Sequence, residues 1–520
     1  MTEPFYITTA IAYPNGKPHI GHAYEAIAAD AIARFQRLMG RDVRFITGTD
    51  EHGLKMVQTA RAAGRNTLEF ADEMSLYFRE MCDILNISYT NFMRTSDPEH
   101  HVASQALWTA MKASGDLYMD RYEGYYSVRD EAFYDEKELI ASEGGEKLSP
   151  QGTPVEWTVE ETWFFRLSKY QDQLLDLFNE NPDFIQPESR RNEVLRFVEG
   201  GLRDLSVSRT SFDWGVKVPG SPDHVMYVWV DALTTYLSGI GYPNMDGEFA
   251  RFWPANVHII GKDIVRFHAV YWPAFLMSAK LPLPKQVFGH GFLLSRGEKM
   301  SKSLGNVVDP IELAQLFGID ALRYFLLRDV SFGQDGSYSA EAIVGRVNAE
   351  LANGYGNLAQ RTLSLIFKNC DGHLPAINGH DEDDNALLAL VDNVVCDDVP
   401  RHFQNLAMSQ GLDSWMQGVF ACNAYVDAQA PWALKKTDPE RMETVLATLF
   451  ICIAQLAVAV LPIIPDSAAK LLNQMGIPED VRNYSKINSH WYSVLAESNF
   501  KIAQPQGLFP RLELLSNIAA

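Results

Sequence analysis

The hydrophobic and polar positions at the start of the chain predict a strand, a helix and a second strand. An apolar, β-branched run covers residues 5–11 and stops at a Pro-Asn-Gly-x-Pro turn. A helical pattern then extends from His22 to Met39, with Gly40 as its C-terminal cap. A second apolar run covers residues 43–49. This order predicts a βαβ unit with parallel strands.

The pattern changes twice further along the chain. Helical spacing over 68–86 and 99–113 gives way, at about residue 116, to short aromatic strands and turns that continue to about residue 225. The α/β pattern then returns, with buried-strand candidates at 257–260 and 286–289. We therefore expect one α/β domain with a parallel sheet that an insertion splits in two.

The chain is helical from Asp309 almost to its end. Asp309 is expected as the N-cap of the first of these helices, with Pro310 at its first position and Glu312 at its third. Heptad-like apolar spacing predicts a bundle of further helices over 342–366, 386–407 and 413–427.

One run in this helical part is long and apolar enough to be a transmembrane candidate. Residues 445–464 carry no charge and are interrupted only by Gln455 and Pro462. The alternative is a helix buried inside the bundle, and the charged amphipathic segments on both sides of the run favour it. We expect no membrane anchor.

Composition places the chain among ordinary globular proteins of a reducing compartment. Of 520 residues, 47% are hydrophobic and 21% are charged. The five cysteines are scattered without a CxxC pair, which argues against both a disulfide framework and a thiolate zinc site. The N-terminus lacks a basic region followed by an apolar core, so no signal peptide is expected and the predicted location is cytoplasmic.

The net charge of −21 argues against sequence-indifferent nucleic-acid binding, and we expect no DNA partner. A large, shaped RNA remains compatible with this charge, because a local basic face is enough to hold it.

Two histidines flank a glycine where the first predicted helix begins. His19 and His22 are separated by one helical turn, so they share a face of the helix start. A helix N-terminus exposes unpaired N–H groups and attracts anions, and Gly21 allows a flat group to approach the backbone. The motif fits a polyphosphate site with a base over Gly21. The alternative is a pair of histidines that only cap and pack.

A second polar cluster, RGEKMSKSLGNVVDP, covers residues 296–310 between a predicted strand and a capped helix. Lys299 and Lys302 are mobile ammonium groups that can follow the charge developing on a leaving phosphate. The alternative is a solvated loop with ordinary surface lysines.

The two clusters together resemble the HIGH and KMSKS motifs of class I aminoacyl-tRNA synthetases. Five further segments are similar to the methionyl-tRNA synthetase family and span nearly the whole chain: TGTDEHGLK (47–55), YVWVDALTTY (227–236), IIGKDIVRFHAVYWPA (259–274), GHGFLL (289–294) and YVDAQAPW (425–432).

The resemblance implies a fold, an activity and its partners. The enzyme would activate methionine with ATP and Mg²⁺ to methionyl-adenylate, release pyrophosphate, and transfer methionine to tRNA(Met). The α/β domain would be a Rossmann-type parallel sheet, followed by an all-α helical bundle that binds the anticodon. The implied divisions are the catalytic halves 1–115 and 226–290, the insertion 116–225, the KMSKS and stem-contact region 291–350, and the anticodon domain 351–520.

Family positions also imply site residues. Catalysis would involve His19, His22, Lys299 and Lys302. ATP would contact Gly21, Glu25, Gly261, Asp263, Lys299, Ser301 and Lys302. Methionine would be bound by Ala10, Ile11, Tyr13, Asp50, Trp229, Ala232, Tyr236, Ile264, His268 and Trp272. Arg209 would pair with Asp263, and Asn357, Arg361 and Trp432 would contact the CAU anticodon.

Several of these assignments have structural alternatives. Val228, Trp229 and Ala232 are equally compatible with a helix core, and Asp50 could cap the segment after the second strand. Asn357 and Arg361 could be solvated helix residues, beside a half-buried Trp432.

The chain departs from the family in its insertion. Many members carry zinc knuckles there, but Ser127 and Asp130 stand where thiolates would fall, and no Cys or His lies between 116 and 223. Structural zinc needs four N or S ligands. We predict a zinc-free insertion held by the aromatics Tyr125, Phe133, Trp157 and Trp163. We also expect a monomer, because no appended dimer-forming domain follows the bundle. A synthetase-derived RNA-binding protein without catalysis is the rival hypothesis.

Overall fold

The computed structural model describes residues 2–129, 132–134, 136–142, 145–295, 307–484, 490–497 and 500–514. The first part of the chain alternates strands and helices, as its hydrophobic pattern predicts. Its elements are β1 (Pro4–Thr9), α1 (Ile20–Leu38), β2 (Asp42–Thr49), α2 (Leu54–Ala62), α3 (Thr67–Ile84), β3 (Asn91–Arg94) and α4 (Pro98–Ala113).

The middle of the chain is rich in strands. Its elements are β4 (Leu117–Ser127), β5 (Ala132–Tyr134), β6 (Ile140–Ala141), β7 (Lys147–Leu148), β8 (Glu156–Phe165), α5 (Gln171–Glu180), β9 (Ile185–Gln186), α6 (Glu188–Glu199), β10 (Leu205–Ser206), β11 (Ser208–Arg209), β12 (Lys217–Val218) and β13 (Ser221–Met226).

The α/β pattern then resumes. Its elements are α7 (Val228–Ser238), α8 (Glu248–Phe252), β14 (Val257–Gly261), α9 (Trp272–Ser278), β15 (Val287–His290), β16 (Leu293–Ser295), α10 (Pro310–Phe317), α11 (Ile319–Asp329) and β17 (Gly336–Tyr338).

The last part of the chain is helical. Its helices are α12 (Ala340–Arg346), α13 (Asn357–Asn369), α14 (Glu382–Asn393), α15 (Val399–Gln404), α16 (Met408–Gln429), α17 (Pro431–Thr437), α18 (Pro439–Val460), α19 (Pro465–Gln474) and α20 (His490–Glu497). A π-helical segment, Val347–Gly356, continues α12 into α13.

A parallel sheet of six strands forms the centre of the catalytic part, in the order β3-β2-β1-β14-β15-β9. The predicted α/β class, with a split parallel sheet and a helical C-terminal part, is confirmed. One strand differs from expectation. β9 lies inside the segment predicted as an insertion, yet it pairs with β15 and forms the edge of the sheet. Two residues are too short to give a strand signal by alternation.

Alternation along β1 divides the core into two layers. Phe5 and Ile7 face a core shared with α1 and the helical bundle, whereas Tyr6 faces a core shared with α4, α7 and α9. The apolar core of the bundle is therefore continuous with one face of the catalytic sheet.

A buried ion pair lies at the junction of the two parts. Arg323 of α11 is fully buried and donates to Asp30 of α1 at 2.6 Å and to the carbonyl oxygens of Pro462 and Ile463 at 3.1 and 3.0 Å. Burial opposes ionisation of Asp30, but the charges of Arg323 and Arg34 outweigh it and lower the pKa of this carboxyl.

The apolar run at 445–464 is a buried helix, as its surroundings predicted. Among the residues that the structure describes, α18 is the one helix that is long and apolar enough to cross a membrane, and nearly all of its apolar stretch lies inside the protein. The helix starts predicted at Asp309 and the cap at Gly40 are also confirmed. The Asp309 side chain accepts from the backbone of Ile311 and Glu312, and Gly40 has a φ of +83°.

The insertion is built on a long hairpin of β4 and β8, in which Tyr125 packs edge-on against Trp157 at 5.0 Å. At its tip, the hydroxyls of Ser127, Ser149 and Thr153 are buried and hydrogen-bonded, with O···O distances of 2.6 and 2.9 Å. Ser127 is one of the positions where the family carries a thiolate. The Phe133 side chain and Asp130 lie outside the described parts of the chain, and the zinc-free insertion stays a prediction.

Candidate active site

A cavity of about 440 Å³ opens where the parallel strands end. This volume is in the usual range for small-molecule sites, and the carboxyl ends of parallel strands are where open α/β sheets bind ligands. The cavity is lined by residues that directly follow β1 (Ala10 to Tyr13) and β2 (Asp50), and by residues at the ends of β14 (Gly261) and β15 (His290). Residues of α1 and α7 complete the wall.

His19 and His22 cap the N-terminus of α1 reciprocally. The His19 Nδ1 accepts from the backbone N–H of Gly21, and the His22 Nδ1 accepts from the backbone N–H of His19, both at 3.1 Å. Because each Nδ1 accepts, each neutral ring carries its proton on Nε2. The ring centroids are 3.8 Å apart, and both residues line the cavity. Both imidazole rings therefore lie in the cavity wall beside the N-terminus of α1.

Gly21 also has a structural role, in addition to the expected approach of a ligand: it leaves space for the His19 ring. A Cβ at this position would lie 2.9 Å from Cε1 of His19. The glycine thus leaves space for the His19 ring to fold back over the first turn of α1, and this capping geometry depends on it.

A hydrogen-bonded pair, Tyr236 and His268, lies among the aromatic residues of the cavity wall. The Tyr236 hydroxyl lies 2.7 Å from Nε2 of His268, whose Nδ1 lies 3.0 Å from the carbonyl oxygen of Ile264. Nδ1–H must donate to that carbonyl, so Nε2 accepts the Tyr236 proton. Burial lowers the pKa of His268 to about 4 and raises that of Tyr236 well above its usual value, so both side chains are uncharged at pH 7. Trp229 forms the adjoining wall and stacks on Phe267 at 3.9 Å.

Trp272 lies behind this wall and not among the lining residues. It is fully buried, and its indole N–H donates to Nε2 of His258 at 3.3 Å. His258 stacks on Tyr236 at a centroid distance of 4.4 Å and is held through Nδ1 by Thr8. Sequence spacing could not separate a lining aromatic from one that supports the wall.

Asp50 lines the cavity, close to Tyr13 and Ala10 in the wall. Its side chain is largely buried, at 8% exposure for the residue, and its backbone N–H donates to the carbonyl of Ala12 at 2.8 Å. The residue at the N-cap position of α2 is Gly53, so Asp50 is not the N-cap of that helix.

Gly261, Asp263 and the Glu25–His290 pair also line the cavity. A Cβ on Gly261 would lie 2.7 Å from Oδ1 of Asp263, so a larger residue would force the Asp263 side chain to move. Nε2 of His290 lies 2.8 Å from Oε2 of Glu25. Burial disfavours the charged imidazole, but the hydrogen bond and charge of Glu25 outweigh it and raise the pKa of His290.

Arg209 lines a second cavity of about 640 Å³, between the insertion and the catalytic sheet. It is buried and donates to the carbonyl of Ser208 at 2.7 Å and to the hydroxyl of Ser206 at 2.9 Å. Asp263 lines both cavities, so the two predicted partners face a common space.

Lys299, Ser301 and Lys302 lie outside the described residues. The described residue Leu293 lines the cavity, and Val308 contacts the start of α1. The carbonyl of Val308 accepts from the backbone N–H of Ile20, the residue after His19, at 3.0 Å.

The predicted anticodon residues come together on the helical part. Asn357 opens α13 and is exposed, and Arg361 follows one turn later. The Arg361 guanidinium lies 5.8 Å from the ring of Trp432, which is 49% exposed, and donates to Asp427 at 3.0 Å. The hydrophobic pattern of the sequence did not indicate that residues of α13 and α17 lie side by side.

Some lining residues were not predicted as site residues. His290 ends a strand and belongs to the segment GHGFLL, so its position at a carboxyl end was a usable signal. Lys55 and Arg129 also line the cavity. Arg129 follows β4 of the insertion, and nothing in its local sequence indicates that this turn reaches the catalytic part.

No group of three or more His, Cys, Asp or Glu side chains in the described parts of the chain is placed to hold a metal ion. The Mg²⁺ ion expected together with ATP stays a prediction.

Comparison with known proteins gives a consistent result over both parts of the chain. Residues 5–363 match the family model of class I tRNA synthetases (M), and residues 375–513 match the anticodon binding domain of methionyl tRNA ligase. The methionine–tRNA ligase of Brucella suis is 56% identical over 98% of both chains, and that of Mycobacterium tuberculosis is 53% identical over 98% of both.

Solved structures agree with these relatives. The crystal structure of Mycobacterium tuberculosis methionyl-tRNA synthetase bound by methionyl-adenylate has a TM-score of 0.94 and 52% identity, and the match covers 98% of this chain and 100% of that one. The apo form of the same protein has a TM-score of 0.88 and 49% identity, over 99% of both chains.

Proposed function

Because this chain belongs to the methionyl family of class I tRNA synthetases, we propose that its first cavity binds methionine and ATP side by side and joins them as methionyl-adenylate. The chain is an enzyme that ligates methionine to tRNA. What remains to be assigned is which of its residues perform each step. The proposal is supported mainly by one arrangement: the aromatic residues Trp229, Tyr236 and His268 and the two histidines at the N-terminus of α1 line the same cavity.

The aromatic end suits the methionine side chain. A thioether is polarizable and has few polar handles, so it prefers aromatic neighbours and weak donors. Trp229, Tyr236 and His268 supply this surface, with Ala10, Ile11, Tyr13, Ala232 and Ile264 around them and Trp272 supporting the wall from behind. The Asp50 carboxylate binds the substrate ammonium.

The helix end suits ATP. The Nε2–H groups of His19 and His22 donate to phosphate oxygens, where the N-terminus of α1 already favours negative charge. Gly21, Glu25, Gly261 and Asp263 surround the adenosine, and Arg209 approaches from the second cavity. Lys299, Ser301 and Lys302 hold the pyrophosphate as it leaves. Two anions must approach in line, so positioning and charge neutralisation account for the catalysis.

The helical part binds the anticodon of tRNA(Met). Trp432 stacks on a base, and Asn357 and Arg361 form hydrogen bonds with base edges, which is how single-stranded loops are usually recognised. We also infer that the enzyme acts as a monomer in the cytoplasm. The five cysteines are free thiols, in keeping with a reducing compartment. Light scattering checks the monomer against a chain mass of 58.4 kDa.

Methionine-dependent exchange of pyrophosphate into ATP tests the assignment of the cavity. The wild-type enzyme should exchange, and Lys302→Ala should lower the rate by about 100- to 1,000-fold, comparable to the loss of an oxyanion donor. Lys368→Ala removes an exposed lysine from α13 and should leave exchange unchanged. Unaltered exchange in Lys302→Ala would remove this lysine from the proposal, and no exchange in folded wild-type protein would leave only an RNA-binding role.

A further inference from the structure

The three residues after β2, which are Asp50, Glu51 and His52, have different surroundings. Asp50 lines the first cavity, whereas the two residues that follow it, Glu51 and His52, are buried, at 0% and 3% exposure. Glu51 accepts two hydrogen bonds from Arg94, at 2.7 and 2.9 Å, and one from Ser96 at 2.5 Å. Glu51 and His52 are thus two buried polar anchors directly after Asp50.

The second anchor leads to the opposite wall of the cavity. Nδ1 of His52 lies 2.6 Å from Oδ2 of Asp231, and Nε2 of His100 lies 2.6 Å from Oδ1 of the same carboxylate. Asp231 is fully buried. Both of its oxygens accept, so both imidazoles donate. Burial opposes ionisation, but the charge of His52 and the two hydrogen bonds outweigh it and lower the pKa of Asp231.

Asp231 belongs to α7, the helix that provides much of the aromatic wall. His100 belongs to α4 and is itself held by Ser238 at 3.0 Å and by Ser104 at 3.1 Å. The carboxylate therefore ties the loop after β2 to α4 and α7. The residues of α7 that line the cavity are Val228, Trp229, Ala232, Leu233 and Tyr236.

A buried polar network that connects three elements carries a desolvation penalty. A buried carboxylate with charged partners gains little stability over apolar side chains of the same volume, because desolvation offsets the attraction. Apolar packing, however, does not set the distance between a loop and a helix as sharply as directional hydrogen bonds do. The advantage of the network is therefore that it fixes the distance between the loop after β2 and α7.

We propose that the His52–Asp231–His100 network is a positioning device for methionine, which sets the distance between the Asp50 carboxylate and the aromatic wall on α7. The inference rests on the proposed function, in which Asp50 binds the ammonium and α7 contacts the side chain. Neither His52 nor Asp231 lines the cavity, so the network acts on the substrate through Asp50 and Trp229.

Steady-state pyrophosphate exchange tests the network through the split between two KM values. Asp231→Asn should raise the KM for methionine about 10-fold or more, since misplacement by about 1 Å can cost on the order of 100-fold. The KM for ATP should change less than about twofold, because the nucleotide end is built from other elements. Asp116→Asn is the matched control. Asp116 is equally buried and bonded to Lys169, Tyr170 and Ser278, but it lines neither cavity.

A pair of substitutions at His52 keeps the test decisive if Asp231→Asn fails to fold. His52→Asn places an amide N–H near the position of Nδ1 and should retain a methionine KM close to wild type. His52→Ala removes that donor and should raise the KM as Asp231→Asn does. Equal KM values in these two variants, or a rise in the Asp116→Asn control as large as in Asp231→Asn, would overturn the positioning role.

Pyrophosphate exchange also distinguishes a failure of the positioning role from a failure of the proposed methionine site. Asp50→Asn should raise the methionine KM on its own. If it does and Asp231→Asn does not, the network has no positioning role and the proposed site stands. If Asp50→Asn leaves the methionine KM unchanged, the assignment of Asp50 fails, and the inference fails with it.

Discussion

At the scale of single residues, the two ring nitrogens of His19 have separate roles. Nδ1 accepts a backbone N–H and caps α1, which leaves the proton of the neutral ring on Nε2, and the residue lines the cavity. The pattern of two histidines at a helix start predicted capping and phosphate binding as alternatives; the structure shows the capping bonds, and phosphate binding stays a prediction. Sequence alone could not show this, because the division depends on ring orientation.

Substitution at His19 should separate these roles. His19→Ala loses the cap, at a cost of about 1 kcal/mol in the free energy of unfolding, and the donor. His19→Asn restores a capping oxygen but has no Nε2–H. We expect its stability to be close to wild type while pyrophosphate exchange stays about 100-fold or more below it. Chemical denaturation and exchange assays on the two variants check this, and full activity of His19→Asn would show that only the cap matters.

His268 makes the stability of the fold dependent on pH. Its pKa in the folded protein is about 4, below the value of about 6.5 for an unfolded chain. The unfolded chain therefore takes up the proton first, and stability is lost as the pH falls from 6.5 towards 4. Between pH 7 and pH 5, this one group should lower the free energy of unfolding by about 2 kcal/mol.

Urea denaturation at the two pH values measures that loss. His268→Gln cannot titrate, so it should lose about 2 kcal/mol less than the wild type over this interval. The other buried histidine of this wall, His258, is present in both proteins and cancels. Equal losses in the two proteins would show that His268 is not held neutral by burial.

At the scale of elements, long periodic segments were predictable and close contacts were not. Each of β1, α1 and β2 agrees with its predicted range to within about two residues, since hydrophobic spacing determines them. The edge strand β9 was missed because tertiary pairing with β15, and not local pattern, defines it. Trp272 and Arg129 were misplaced or missed for the same reason: their positions depend on elements distant in the sequence.

Glycines in the helical part show how element packing decides the effect of one methyl group. A Cβ on Gly411 of α16 would lie 2.4 Å from the Phe403 ring, which packs edge-on against Phe35 of α1. Gly345 of α12 has open space around it. We expect Gly411→Ala to lower the free energy of unfolding by about 1–3 kcal/mol, through overpacking.

Gly345→Ala is the matched control, with the same change on an exposed helix. It should be neutral or raise the free energy of unfolding by up to about 1 kcal/mol, because alanine loses less backbone entropy in a helix. Urea midpoints give both values. Equal effects of the two substitutions would contradict the close approach of α16 to α15.

At the scale of the whole molecule, two functional surfaces share one continuous core. The cavity lies at the carboxyl edge of the sheet, the Arg361–Trp432 surface lies on the bundle, and the buried Arg323–Asp30 pair joins the two parts. The order of the parts followed from sequence, because periodicity changes at each boundary. Their packing did not, since Asp30 and Arg323 are almost 300 residues apart.

The cavity and the Arg361–Trp432 surface lie on different parts of the chain. A substitution on the bundle should therefore affect aminoacylation of tRNA but not pyrophosphate exchange. Trp432→Ala should leave pyrophosphate exchange unchanged and weaken aminoacylation of tRNA by about 1–3 kcal/mol, the contribution of one stacked base. Leu390→Ala removes another exposed apolar side chain of the bundle and should change neither. A fall in both activities of Trp432→Ala would show that the bundle is not a separate RNA-binding surface.

A crystal structure with a non-hydrolysable methionyl-adenylate analogue tests the central claim most directly. The account predicts the analogue in the cavity at the ends of β1, β14 and β15, with its thioether against Tyr236 and His268 and its ammonium at Asp50. The phosphate should lie within hydrogen-bond distance of Nε2 of His19 or His22. An analogue bound elsewhere, or one whose phosphate lies away from both imidazoles, would contradict the proposed site.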